Sequence, residues 1–148
     1  MENSVFKKAE AEIVGSEKYK DIYGKVYFTQ RMDGVLVTAD IGGLPMGNIF
    51  GFHIHEGESC TGNMSDPFSD AGAHFNPKGV IHPEHAGDMP PLFKAGDRAY
   101  LSFITDRFKV SDVIGKAVII HSKSDDFITQ PSGNSGEKIA CGIIKNKY

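Results

Sequence analysis

Ile49-Phe50-Gly51-Phe52-His53-Ile54-His55-Glu56 is the stretch whose reading decides the fold. It is too short for a helix of ordinary length, and its apolar residues alternate. As a strand from Ile49 to His55 it sends Phe52 and Ile54 to one face and His53 and His55 to the other. One face can then pack on a core, while the other carries two imidazoles about 6–7 Å apart along the chain.

The residues before it keep the same period. Ala9, Ala11 and Ile13 share one face of a strand, Ile22, Gly24, Val26 and Phe28 a face of the next, and Val35, Val37, Ala39 and Ile41 a face of a third. Turn residues separate them at Met32-Asp33-Gly34 and Gly42-Gly43-Leu44-Pro45, which predicts an antiparallel meander. Strands resume at Arg98 to Ile104, with Ala99, Leu101 and Phe103 on one face, then at Lys116 to His121 and Ile139 to Ile144. Two irregular stretches interrupt the pattern: Glu56 to about Pro91, and SKSDDFITQPSGNSGEK at 122–138. A loop as long as the first is functional or disordered, and its histidines favour function. No amphipathic helix, internal repeat or interdomain linker is evident, so residues 1–148 are read as a single domain.

Composition excludes several classes. Apolar residues make up 40% and charged residues 24%, with no apolar run of membrane-spanning length. The net charge of −3 and the lack of a basic run argue against nucleic acid or a membrane surface as partner. The N-terminal MENSVFKKAEAEI has neither an apolar segment nor a small-residue cleavage site. As written it directs no export and predicts a cytoplasmic protein; an exported or periplasmic one follows only if the chain is a processed form. Cys60 and Cys141 are far apart and form no Cys-x-x-Cys motif, leaving a disulfide or two buried thiols.

All six histidines sit where a metal centre would want them: His53 and His55 on the strand, His74, His82 and His85 in the long loop, and His121 at a strand end. Neutral imidazole is the commonest protein metal ligand, and six of them with nearby acids suggest more than one ion. His74, His82, His85 and Asp88 supply three nitrogens and a carboxylate, a set tetrahedral zinc accepts.

GFHIHE at 51–56, GAHFNPKGVIHPEHAGDMP at 72–90, GKAVIIHSKSDD at 115–126 and SGNSGEKIACGII at 132–144 together resemble the copper–zinc superoxide dismutases over almost the whole chain. With the strand pattern, the resemblance implies an all-β fold: an eight-stranded antiparallel Greek-key barrel or flattened sandwich with two long functional loops. It implies dismutation of superoxide to dioxygen and hydrogen peroxide by one-electron cycling of copper. His53, His55, His74 and His121 match the copper ligands, and His74, His82, His85 and Asp88 the zinc ligands, so His74 would bridge both ions and serve catalysis. Asp125 matches the carboxylate that links a copper-ligand histidine to a zinc-ligand one, here His53 and His82. Cys60 and Cys141 match the family disulfide.

Lys138 falls where the family usually has an arginine beside the copper, and Lys123 at another anion-steering position. Lysine keeps the charge but loses the planar fork, which implies a slower and more salt-sensitive enzyme. The alternative is a non-catalytic, dismutase-like domain that binds or delivers copper; such relatives typically lose copper ligands, whereas this chain keeps all four. Lys145 and Asn146 stand where dimeric eukaryotic members have small or apolar interface residues, leaving open a monomer or a bacterial-type homodimer.

Overall fold

Alternating burial in the first three strands follows the period of the sequence. The computed structural model describes residues 7–147, so the start of the N-terminal segment, on which the expectation about export rests, lies outside the described residues. Strands β1 (Lys8–Gly15), β2 (Tyr23–Arg31) and β3 (Gly34–Gly42) form the predicted meander, and their inward residues, among them Ala11, Ile13, Val26, Phe28, Val37 and Ile41, are buried. Strands β4 (Ile49–Phe50), β5 (Phe52–His55), β6 (Leu92–Ala95), β7 (Arg98–Thr105), β8 (Ala117–His121) and β9 (Lys138–Lys147) complete one antiparallel sheet, in the order β4-β6-β7-β3-β2-β1-β9-β8-β5. Among the described residues, helix is confined to the single turn α1 (Val110–Val113) and two 3-10 turns, Glu17–Tyr19 and Ser69–Ala71.

The first and last strands of that order, β4 and β5, are consecutive in sequence and separated only by Gly51. A sheet whose two outer strands are joined by one residue must curl until they meet, which makes it a nearly closed barrel. Gly51 is needed at the joint: a Cβ there would lie 2.7 Å from Ser135 Oγ and 3.3 Å from His121 Cβ. The single strand expected over Ile49 to His55 is therefore two, pairing with different partners, β4 with β6 and β5 with β8. With β6, whose four residues are too short for a period to register, the seven strands read from the pattern become nine among the described residues, one more than the eight the resemblance implies.

The barrel interior holds Phe50, Phe52, Ile54, Leu92, Val118, Ile120 and Ile144 with the meander's inward residues. All residues of β5 and β8 are buried, because the long loops cover their outer faces as well. On β8 that outer layer is apolar: Ala117 and Ile119 pack with Phe68, Ala71 and Cys141. On β5 it is His53 and His55. The loop after β5 returns to pair with it, Phe75 N–H donating to Ile54 O and Ile54 N–H to Gly87 O, both at 2.8 Å. The disulfide Cys60–Cys141 ties the same loop to β9.

Among the described residues no helix is long and apolar enough to cross a membrane.

Candidate metal centre

Three separate segments supply the site. β5 carries His53 and His55, the loop between β5 and β6 carries His74, His82, His85 and Asp88, and the end of β8 carries His121, with Asp125 just beyond it. A register irregularity between β8 and β9 sets His121 opposite Lys138 while Ile120 faces Ala140, so Ile139 is extra on β9. Such a bulge moves the following side chains to the other face. Ile139 stays in the core, and Lys138 comes to the outer face beside His121.

The six histidines are only 0–6% exposed. Burying six imidazoles is costly unless their nitrogens find partners. Hydrogen bonds fix which nitrogen carries the proton. Asp125 accepts from His53 Nε2–H at 2.8 Å and from His82 Nε2–H at 2.7 Å. Gly72 O accepts from His55 Nδ1–H at 2.7 Å, and Gly136 O from His121 Nδ1–H at 3.4 Å. The remaining nitrogens, His53 Nδ1, His82 Nδ1, His55 Nε2 and His121 Nε2, therefore carry lone pairs.

Those lone pairs point at one another. His55 Nε2 and His121 Nε2 lie 3.3 Å apart, two acceptors facing with no proton to share. His53 Nδ1 and His74 Nε2 are buried without any partner. Ligand atoms of His53, His55, His74 and His121 all lie within 4.8 Å of one another. On the other side of the His74 ring, Nδ1 lies 2.8 Å from Asp88 Oδ1 and 3.2 Å from His85 Nδ1. Asp88 Oδ2 lies 3.0 Å from His82 Nδ1 and 3.1 Å from His85 Nδ1. A lone pair set against a carboxylate oxygen calls for a cation between them. For tetrahedral ligands about 2.0–2.1 Å from a metal, neighbouring donor atoms are about 3.3 Å apart, and the spacings here are of that size. Two donor sets fit metal ions, meeting at His74. His53 also lies within 4.8 Å of His74, His82 and Asp88, but its Nε2 is committed to Asp125 and its Nδ1 belongs to the first set, whereas His85 Nδ1 stands beside both His74 Nδ1 and Asp88, so His85 is the better fourth donor.

Electrostatics agree with neutral, ligand-ready imidazoles. Burial, followed by the neighbouring His53 charge, pushes His121 down to about 3, and burial with its histidine neighbours pushes His55 well below the usual range. Burial opposes ionisation of Asp125 and Asp88 as well, yet the bonds from His53 and His82 hold Asp125 far below the carboxylate range, and His74, His82 and His85 lower Asp88.

Over the His55–His121 side opens a cavity of about 440 Å³, lined among others by Glu56, His74, Pro131 and Lys138. Lys138 is the one lysine or arginine among its described lining residues, and its Nζ lies 2.7 Å from Asp66 Oδ2. Lys123, the other expected steering cation, is exposed and does not line this cavity. Lys145 and Asn146 are exposed near the disulfide.

Three positioning residues had no motif to announce them. Gln130 binds both backbone groups of His82, and Arg107 Nη1 donates to Pro83 O at 2.7 Å and His85 O at 3.2 Å. Gly133, at φ +73°, packs on the carboxylate bridge: a Cβ there would overlap Asp125 Oδ1 and stand 2.7 Å from His82 Nε2. Only the turn-rich SGNSG hinted at the last.

Residues 22–144 match the family described as copper/zinc superoxide dismutase. Superoxide dismutase (Cu-Zn) 2 of Aquifex aeolicus is 35% identical, over 93% of this chain and 86% of that protein. A Cu-Zn superoxide dismutase of Legionella pneumophila is 38% identical, over 82% of this chain and 77% of its own length. Among solved structures, a double mutant of a SOD-like protein from Bacillus subtilis superposes with a TM-score of 0.76 at 33% identity, covering 90% of this chain and 95% of that one.

Proposed function

The chain belongs to the copper/zinc superoxide dismutase family of oxidoreductases, which use copper and zinc, and we propose that it dismutes superoxide at a two-metal site assembled around His74. His53 Nδ1, His55 Nε2, His74 Nε2 and His121 Nε2 would hold copper; the Nδ1 atoms of His74, His82 and His85 with Asp88 would hold zinc. When bound, copper supplies a one-electron couple and zinc a redox-inert charge. The reaction converts two superoxide ions and two protons into one dioxygen and one hydrogen peroxide.

The observation that carries this reading is that the two ring nitrogens of His74 face different donor sets. Its centroid lies 4.0 Å from that of His53 and 4.9 Å from that of His55, while its Nδ1 is within reach of Asp88 and His85. Because Nδ1 is held on the Asp88 side, Nε2 is the atom at which His74 takes up a proton and passes it to the departing peroxide. Asp125 fixes the tautomers of His53 and His82 together, so each set keeps its lone pairs aimed inward. The backbone bonds from Gly72 and Gly136 do the same for His55 and His121. Lys138 presents a cation at the cavity wall, the local attraction a superoxide anion needs on a protein of net charge −3.

The test is reconstitution with copper and zinc followed by metal analysis and a dismutation assay. One copper and one zinc per chain with cyanide-sensitive turnover are expected. Full copper loading without turnover would leave a copper-binding or copper-delivery domain.

A further inference from the structure

Among its described residues the cavity wall holds one lysine or arginine, Lys138, and it is already paired. Lys138 Nζ meets Asp66 Oδ2 at 2.7 Å, with the lysine side chain 20% and the aspartate 35% exposed. The aspartate is rigidly mounted. Its backbone N–H donates to Asn63 Oδ1 at 2.9 Å, its backbone carbonyl accepts from Asn63 and Ser69, and its Oδ1 accepts the Phe68 N–H at 3.1 Å. One carboxylate oxygen is thus committed to the loop, leaving the other aimed at Lys138. The disulfide Cys60–Cys141 stitches this loop to the strand that carries the lysine.

We propose that Asp66 is a positioning residue that sets the anion affinity of the cavity: it holds the Lys138 ammonium in the wall and at the same time cancels much of its charge. A lysine has no fork to anchor itself to carbonyls, so a fixed acceptor replaces that anchorage. An arriving anion then meets a dipole in place of a free positive charge, and Glu56 is an acid among the cavity's own described lining residues. Long-range attraction and its salt dependence both weaken, which replaces the steep salt dependence expected of an unpaired lysine. This rests on the reading of Lys138 as the cavity's anion-guiding cation.

Asp66→Asn separates the two roles. Asparagine has a single acceptor oxygen: turned to Nζ it keeps the lysine anchored and gives up the Phe68 N–H bond, and the negative charge is gone. The probes are azide and inorganic phosphate, titrated against copper- and zinc-loaded protein by the visible copper band and by 31P relaxation. In D66N both anions should bind about three- to tenfold tighter, the gain expected from removing one unit charge a few ångströms from the docking point. The superoxide rate should also rise and fall more steeply with salt. D66S, which removes the charge without a second amide, is read in the same way should D66N fold poorly.

In K138Q both anions should bind more weakly, and D66N should add nothing in that background. Unchanged or weaker binding in D66N and D66S overturns the inference, as does an equal gain in the K138Q background, which would place the effect elsewhere. If K138Q binds both anions like the unmodified protein, the reading of Lys138 itself fails and takes this inference with it.

Discussion

Gln130 clamps His82 through the backbone: its Oε1 accepts the His82 N–H at 2.8 Å and its Nε2 donates to the His82 carbonyl at 2.7 Å, although the residues lie 48 apart in sequence. The clamp joins the loop after β8 to the loop that carries three histidines, and it acts on the same residue whose ring Asp125 orients. Removing it in Q130A should weaken zinc about tenfold, as removal of outer supports of metal sites generally does. Q130E keeps the acceptor but loses the donor and should fall between. Competition with a chromophoric chelator measures this, and zinc retention equal to that of the unmodified protein would show the clamp to be idle.

Asp125 joins His53 to His82, and no neutral isostere can do the same. Asparagine offers one oxygen and one NH2, so one imidazole N–H would face a donor. D125N should therefore lower affinity for both metals by about 10- to 100-fold. Gly133→Ala should mimic it from behind, because a Cβ at that left-handed position overlaps the same carboxylate. Dialysis against chelator followed by metal analysis reads both variants. A D125N protein that loses only one of the two metals would show that the bridge serves one site.

Cys60→Ser opens a loop spanning 81 residues. The chain-entropy model assigns such a closure about 4 kcal/mol, and the C60S urea midpoint should fall accordingly. The loss should be largest in metal-free protein, where no ion pins the same loop to β5. An unchanged midpoint would mean that packing of Phe68 and Ala71 on Ile119 holds the loop without the bond.

Acid should unfold the metal-free protein in two stages. His121 titrates near 6.5 when unfolded and at about 3 when folded, and His55 is depressed in the same sense. Between those values the unfolded chain binds more protons, so the stability from keeping the rings neutral is present above about pH 6.5 and is lost as pH falls toward 3. Asp88 and Asp125 are also depressed on folding, and their contribution is lost at lower pH, below the ordinary carboxylate range. The urea midpoint of metal-free protein should drop already between pH 7 and pH 5. A flat profile there would show that the buried rings accept protons without penalty.

How far the sequence reaches can be judged element by element. Period-two alternation marked β1, β2 and β3, and the H-x-H pair on β5 placed His53 and His55 on the face opposite Phe52 and Ile54, because side-chain direction in a strand is a local property of the backbone. The residue types that meet around His74, six histidines with Asp88 and Asp125, were equally legible. The split at Gly51 was not, since nothing local says that β4 and β5 serve opposite ends of one sheet; barrel closure imposes that.

The sequence by itself determined an antiparallel all-β chain with its histidines gathered into a strand, one long loop and a strand end. The tertiary structure alone decided which nitrogen of each imidazole is free, that a bulge turns Lys138 to the site, and that Asp66, Gln130, Arg107 and Gly133 attend it. Those contacts join residues tens of positions apart in irregular segments. There neither period nor spacing carries information, and the meeting of two side chains is fixed only when the loops pack on the finished barrel.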